Sequence, residues 1–181
     1  MALECQMEFA VNWPLFAVFV LVTLAAAATG AIFRPGSWYA ALRKPRWTPP
    51  NVLFPIAWCV LYATIAVSAY LFTVAAAPGE RALPLAAWGL QLALNALWSP
   101  LFFKLHRMDW ALADIALLVL AILATIVLFA PVSAVAAALL VPYLVWVSFA
   151  SALNYTILIL NRGRPVPDRT GGASAPRPTV E

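Results

Sequence analysis

Three carboxamides and three rows of aromatic rings are the residues whose types and spacing could do chemistry. Gln91 and Asn95 stand four apart, and Trp98 and Phe102 continue the row. A second row steps through Tyr143, Trp146, Ala150 and Asn154, and a third through Phe54, Trp58, Leu61, Tyr62 and Ile65. Steps of three and four place each row on one face of a helix. Flat rings with a few hydrogen-bonding groups suit the binding of a planar, hydrophobic ligand that carries some polar atoms. Ala150 is the small member of its row and leaves room between the larger side chains. The same rows also fit simple helix packing, with amides bonding between helices and aromatics filling the core. Residue by residue the packing reading is sufficient, whereas the rows taken together favour a cavity.

Conventional catalysis has little to work with. No nucleophile stands beside a base, and no carboxylate pair or metal-ligand spacing is visible, so neither catalytic nor metal-binding residues are assigned. His106, the single histidine, lies between Lys104 and Arg107 and reads as a solvated loop residue. Asp114 reads as favourable charge at a helix N-terminus or as a partner for a basic loop residue. Cys5 and Cys59 are too far apart for a bridge once helices are assigned.

The elements that must position these residues are membrane helices. Hydrophobic residues make up 65% of the 181-residue chain and charged residues 10%, against about 25% charged in soluble domains. Five stretches reach the ~20 apolar residues that a bilayer requires: 13–33, 52–76, 82–103, 110–130 and 132–160. The first three carry no charge, and the fourth only Asp114. The expected fold is an all-α, five-helix transmembrane bundle over 1–161. A Pro- and Gly-rich tail, 162–181, is expected to be disordered and cytoplasmic. Glu4 and Glu8 precede the first apolar run and no basic residue does, which favours a retained first span over a signal peptide.

Between the first two spans lies a connector rich in Trp and Pro. Pro45, Pro49 and Pro50 fall within six residues, remove backbone donors and keep the chain extended. With Trp47 they read as a lid at the membrane surface. Trp13, Trp38, Trp47 and Trp110 read as interfacial anchors. Of eleven basic residues, four lie in this connector, two in the third connector and four in the tail, leaving only Arg81 opposite. Five spans put those ten on one side, which the positive-inside rule makes cytoplasmic, with the N-terminus outside. The basic balance is thereby a matter of orientation, and no nucleic-acid partner is implied.

The chain resembles the TspO/MBR family, the bacterial tryptophan-rich sensory proteins and the mitochondrial translocator or peripheral benzodiazepine receptor. The resemblance rests on Trp38-Tyr39, Lys44-Pro45, Trp47, Pro49-Pro50 and Trp58 to Tyr62; on Gln91 to Asn95 with Trp98, Pro100, Phe102 and Phe103; and on Pro142-Tyr143-Leu144, Trp146, Phe149-Ala150 and Leu153-Asn154-Tyr155. Met108, Trp110 to Leu112 and Asp114 add a weaker block. It implies a five-helix bundle, commonly a homodimer, in contact with membrane lipid, and the Ala-, Arg- and Pro-rich composition points to a bacterial inner membrane. The implied ligands are protoporphyrin IX or haem, cholesterol and synthetic drugs, with no obligatory cofactor. The matching ligand positions are Trp47, Trp58, Asn95, Trp98, Tyr143, Trp146, Ala150 and Asn154, with Pro49 and Pro50 in the lid. The family's cholesterol motif is not met, because six residues separate Tyr155 from Arg162.

Three functions stay open at this level. The favoured one is a tetrapyrrole-binding membrane sensor or regulator. The alternatives are a carrier of porphyrins or similar ligands, and a light-dependent porphyrin-degrading enzyme in which Trp58 and Trp146 take part.

Overall fold

The structure, a computed structural model, describes residues 11–163. The expected tail, from Arg164 onward, and Cys5 lie outside that range. Among the described residues all regular structure is helical: α1 (Trp13–Ile32), α2 (Ser37–Ala41), α3 (Leu53–Ala75), α4 (Ala82–Ser99), α5 (Met108–Phe129), α6 (Ala134–Ala138) and α7 (Val141–Asn161), with a 3-10 turn at Pro78–Glu80 and a π turn at Pro100–Lys104.

Local chemistry sets these limits. The Asn12 side chain accepts from Leu15 N and Pro14 occupies the first turn of α1, while Ser133 caps α6 through Ala136 N. Such caps satisfy donors that a helix end leaves unpaired. Pro100 lacks an N–H, and the chain beyond α4 closes a wider turn in which Leu105 N donates to the Pro100 carbonyl at 3.0 Å. The apolar run that reads as one third span is therefore a helix with a different final turn. Likewise the long fifth run breaks after Ala138 and restarts at Val141, with Pro142 in its first turn.

Four helical stretches are long and apolar enough to cross a membrane: Trp13–Ile32, Leu53–Ala75, Met108–Phe129 and Ala134–Asn161. The further helix α4 is less apolar because Gln91 and Asn95 dilute its hydropathy.

The long helices form a ring. α1 rests on α3 and α4, α5 lies between α4 and α7, and α3 and α7 touch most sparsely. Two aromatic contacts show how α3 meets α7: Phe54 to Trp146 at 5.7 Å and Trp58 to Tyr143 at 6.1 Å. The numbers rise along one helix as they fall along the other, so the pair is antiparallel. Consequently α3 begins level with Trp146, and the last four turns of α7 extend beyond it. Along that stretch the extended connector takes the place of a helix. Arg43 sits at Asn161, with Arg43 N donating to Asn161 Oδ1 at 3.1 Å and Asn161 Nδ2 donating to Arg43 O at 3.0 Å. Trp47 then reaches Phe149 at 5.6 Å.

Three expectations are corrected. Trp38 is not an interfacial anchor but is buried, edge-on to Phe102 at 5.7 Å. His106 is half-buried and stacks on Trp38 at 4.1 Å, rather than standing in solvent. The reason is that α2 folds its aromatic face onto the π turn, building a second small core of Trp38, Tyr39, Leu101, Phe102, Ala111, Leu153 and Ile157. Among the described residues Asp114 pairs with no loop base: Arg107 is taken by Asp109 at 2.7 Å, and Asp114 is buried with neither carboxyl oxygen hydrogen-bonded there.

Candidate functional site

The amide of Asn95 is the polar centre of the bundle. Tyr62 Oη donates to Asn95 Oδ1 at 2.7 Å, and Asn95 Nδ2 donates to Tyr143 Oη at 3.1 Å. One side chain thus ties α3, α4 and α7 together. Asn95 is 6% exposed and Tyr143 fully buried, which fits the rule that polar groups within a membrane bundle point inward and find partners. Trp58 stacks on Tyr62 at 5.1 Å and meets Tyr143 edge-on, so its ring forms part of the same cluster.

Beside this cluster, at the sparse seam between α3 and α7, opens a groove of about 560 Å³ lined by Pro49, Leu53, Val141, Pro142, Val145, Trp146 and Phe149. That volume falls within the ~300–1,000 Å³ typical of small-molecule sites. The lining carries no charged side chain. Phe54, Trp146, Phe149 and Trp47 form a chain of ring contacts along it, with centroid separations of 5.7, 5.8 and 5.6 Å. Val141 and Val145 are exposed on its outer lip. The groove therefore offers apolar and π contact to a flat guest reached from the side of the bundle.

The ten sequence-assigned residues divide among three places. Trp146 and Pro49 line the groove, Trp47 meets the lining residue Phe149 at 5.6 Å, and Pro50 follows Pro49 ahead of α3. Asn95 and Tyr143 belong to the hydrogen-bonded cluster behind it, Trp58 packs its ring on that cluster, and Ala150 packs half-buried against the same core. Trp98 and Asn154 lie on the other side of the ring. Trp98 stacks on Phe102 at 4.9 Å, and Asn154 Nδ2 reaches the Met108 carbonyl at 3.5 Å. The Nε1 of Trp98 and the Oδ1 of Asn154 have no hydrogen-bond partner among the described residues.

Phe149 and Asn161 are among the contributors that the sequence did not assign to the site. Phe149 belongs to the groove, and its signal was its place three residues beyond Trp146. Asn161 fixes the connector, and its only signal was a lone amide at the last turn of an apolar helix. Within the connector, Lys44 Nζ lies 4.4 Å from the Tyr39 ring centroid and donates to Leu42 O at 3.3 Å. Burial holds the Lys44 ammonium below its ordinary pKa and pushes the Tyr39 phenol above its own. Among the described residues no group of three or more His, Cys, Asp or Glu side chains is placed to hold a metal ion.

The family model of TspO/MBR matches residues 18–160, a range that runs from within α1 to the last turn of α7. Protein CrtK of Rhodobacter capsulatus is 47% identical over 150 residues, covering 82% of this chain and 94% of that protein. The tryptophan-rich sensory protein of Cereibacter sphaeroides is 39% identical over 154 residues, covering 85% and 96%. The human translocator protein is 40% identical over 128 residues, covering 70% and 76%. With the family model matched over most of its length and these relatives at 39–47% identity, the chain belongs to the TspO/MBR family.

Proposed function

We propose that this protein is a membrane sensor or regulator that binds a planar tetrapyrrole, of the protoporphyrin or haem type, in the groove at the α3–α7 seam. The observation that carries the reading is the groove itself: its wall is aromatic and apolar, it opens sideways, and a hydrogen-bonded cluster backs it. A macrocycle would stack on Trp146 and Phe149 and lie against Pro49 and Leu53. Trp47, Pro49 and Pro50 would close over it as a lid. Trp58 and the Asn95 amide lie behind this lining, and their contacts hold α3, α4 and α7 together.

The same reading includes five membrane crossings, with α4 as the third. Its support is register. Phe19 meets Trp88 at 5.3 Å, and a Cβ at Gly30 would lie 3.8 Å from Ser99 Oγ. Both pairs are separated by the same number of residues, so α4 runs parallel to α1 over nearly its whole length. The N-terminus would then be outside and the C-terminus cytoplasmic, as the charge distribution favours. The exposed row of Leu83, Leu90 and Leu97 on α4 suits the pairing of two copies into a homodimer.

Titration of protoporphyrin IX against tryptophan fluorescence tests the site. Aromatic stacking is worth about 1 kcal/mol beyond area burial, so Trp146→Leu should weaken binding about fivefold to tenfold. Unchanged affinity in that variant would remove the ligand from this groove.

A further inference from the structure

The end of α1 gathers two cations that the fold neutralises only in part. Arg34 follows the C-cap residue Phe33, and its Nε donates to Ala31 O at 2.8 Å. Lys104 closes the π turn, and its Nζ lies 5.5 Å from the Phe33 ring centroid. Both reach the same turn because α1 and α4 run side by side to this level, where a Cβ on Gly30 would lie 3.8 Å from Ser99 Oγ. Both side chains are exposed. The one salt bridge among the described residues joins Arg107 to Asp109, so neither cation has an acidic partner there. Each helix C-terminus supplies about half a negative charge. Two such ends, of α1 and of the turn that finishes α4, therefore offset about one of the two positive charges. The Phe33 ring holds the Lys104 ammonium without cancelling its charge. About one positive charge is left over.

That excess stands where apolar surface is open to lipid: Ile32 is 71% exposed and Leu105 55% exposed. A fitting partner carries one negative charge on an apolar body, with acceptor oxygens for guanidinium and ammonium donors. A glycerophospholipid with a single phosphodiester charge has this chemistry, and basic sites between helices at the cytoplasmic side take such headgroups. We infer that Arg34 and Lys104 form a headgroup site for one anionic glycerophospholipid, its phosphate held at the end of α1 and its acyl chains lying against α1 and α4. The site rests on the proposed orientation only for its leaflet. With the C-terminus cytoplasmic it faces the inner leaflet, whose surface is negative. It is separate from the groove, which opens between α3 and α7. Nearby cations are placed differently: Lys44 turns back to Leu42 O, and the Arg43 backbone is tied to Asn161 on α7.

The test takes the full chain in nanodiscs of equal phosphatidylglycerol and phosphatidylcholine and reads the lipid that stays bound by native mass spectrometry. Phosphatidylglycerol should be retained about fivefold over phosphatidylcholine, the range of two exposed charge pairs. Arg34→Gln with Lys104→Gln should bring retention to parity, with near-ultraviolet circular dichroism unchanged. Lys104→Gln alone, which leaves the Arg34 bond to Ala31 in place, should lower the preference about twofold and serves if the double variant does not fold. Arg43→Gln with Arg46→Gln is the control and should leave the preference intact. No preference in the natural protein, or one that survives loss of both Arg34 and Lys104, overturns the inference. An equal loss in the control assigns the effect to diffuse surface charge and overturns it too. Displacement of the bound lipid by inorganic phosphate at constant ionic strength assigns the site to the free anion, with the same result. The orientation fails separately, through protease reaching a C-terminal tag from outside intact cells while lipid retention is unaffected.

Discussion

Removing the Asn95 bridge in steps measures how the bundle is held at its centre. Tyr143→Phe deletes the acceptor 3.1 Å from Asn95 Nδ2 and leaves that N–H buried beside a phenyl ring. An orphaned buried donor costs about 1–3 kcal/mol, while hydrogen bonds within membrane proteins average about 0.6 kcal/mol by coupling analysis. The expected loss for Tyr143→Phe is therefore about 1 kcal/mol. Tyr62→Phe, which frees the amide oxygen from a 2.7 Å bond, should cost a similar amount. Asn95→Leu strands two hydroxyls at once and should cost about 2 kcal/mol. The triple variant leaves no polar atom unpaired at this point and should recover to within about 1 kcal/mol of the natural protein. Equilibrium unfolding in mixed micelles, followed by tryptophan fluorescence, gives all four values. If the triple variant is as unstable as the sum of its parts, the three groups act independently, and the bridge does not organise the centre.

Two further outcomes follow from named contacts. Asn161→Ala removes both bonds to the Arg43 backbone, so the Arg43 amide should exchange with deuterium at least tenfold faster, since ~1.4 kcal/mol of local protection is a factor of ten; unchanged exchange would mean the connector is held elsewhere. Ala150→Leu adds bulk to a half-buried position packed against the core and should cost about 1–3 kcal/mol of stability, together with most of the porphyrin affinity. Retained affinity in a folded Ala150→Leu protein would place the ligand clear of α7 at this level.

Much of this molecule can be read from its residues because lipid leaves the chain few choices. Backbone polar groups must be satisfied internally, so apolar runs become helices, and Pro14, Pro84 and Pro142 in first turns and Pro35 and Pro78 beyond helix ends mark where they start and stop. Amides in such helices turn inward, which is why Asn95 could be picked out as a central residue before any coordinates. Membership in the TspO/MBR family was also legible, since the order and spacing of the Trp, Pro and Asn blocks are specific.

Only the tertiary structure decided who meets whom. Periodicity assigns Asn95 and Asn154 to the inner faces of their helices, but the rotation and relative height of α4, α5 and α7 bond one amide to two tyrosines and turn the other toward the Met108 carbonyl. Trp38 and Trp47 have the same side chain and neighbouring places in one connector. One is buried on Phe102 because α2 folds over the π turn, while the other stays exposed at the groove because α3 starts high on α7 and leaves the connector to fill the gap. These outcomes depend on packing between segments far apart in the chain, where a shift of one helical turn exchanges partners without changing any local preference.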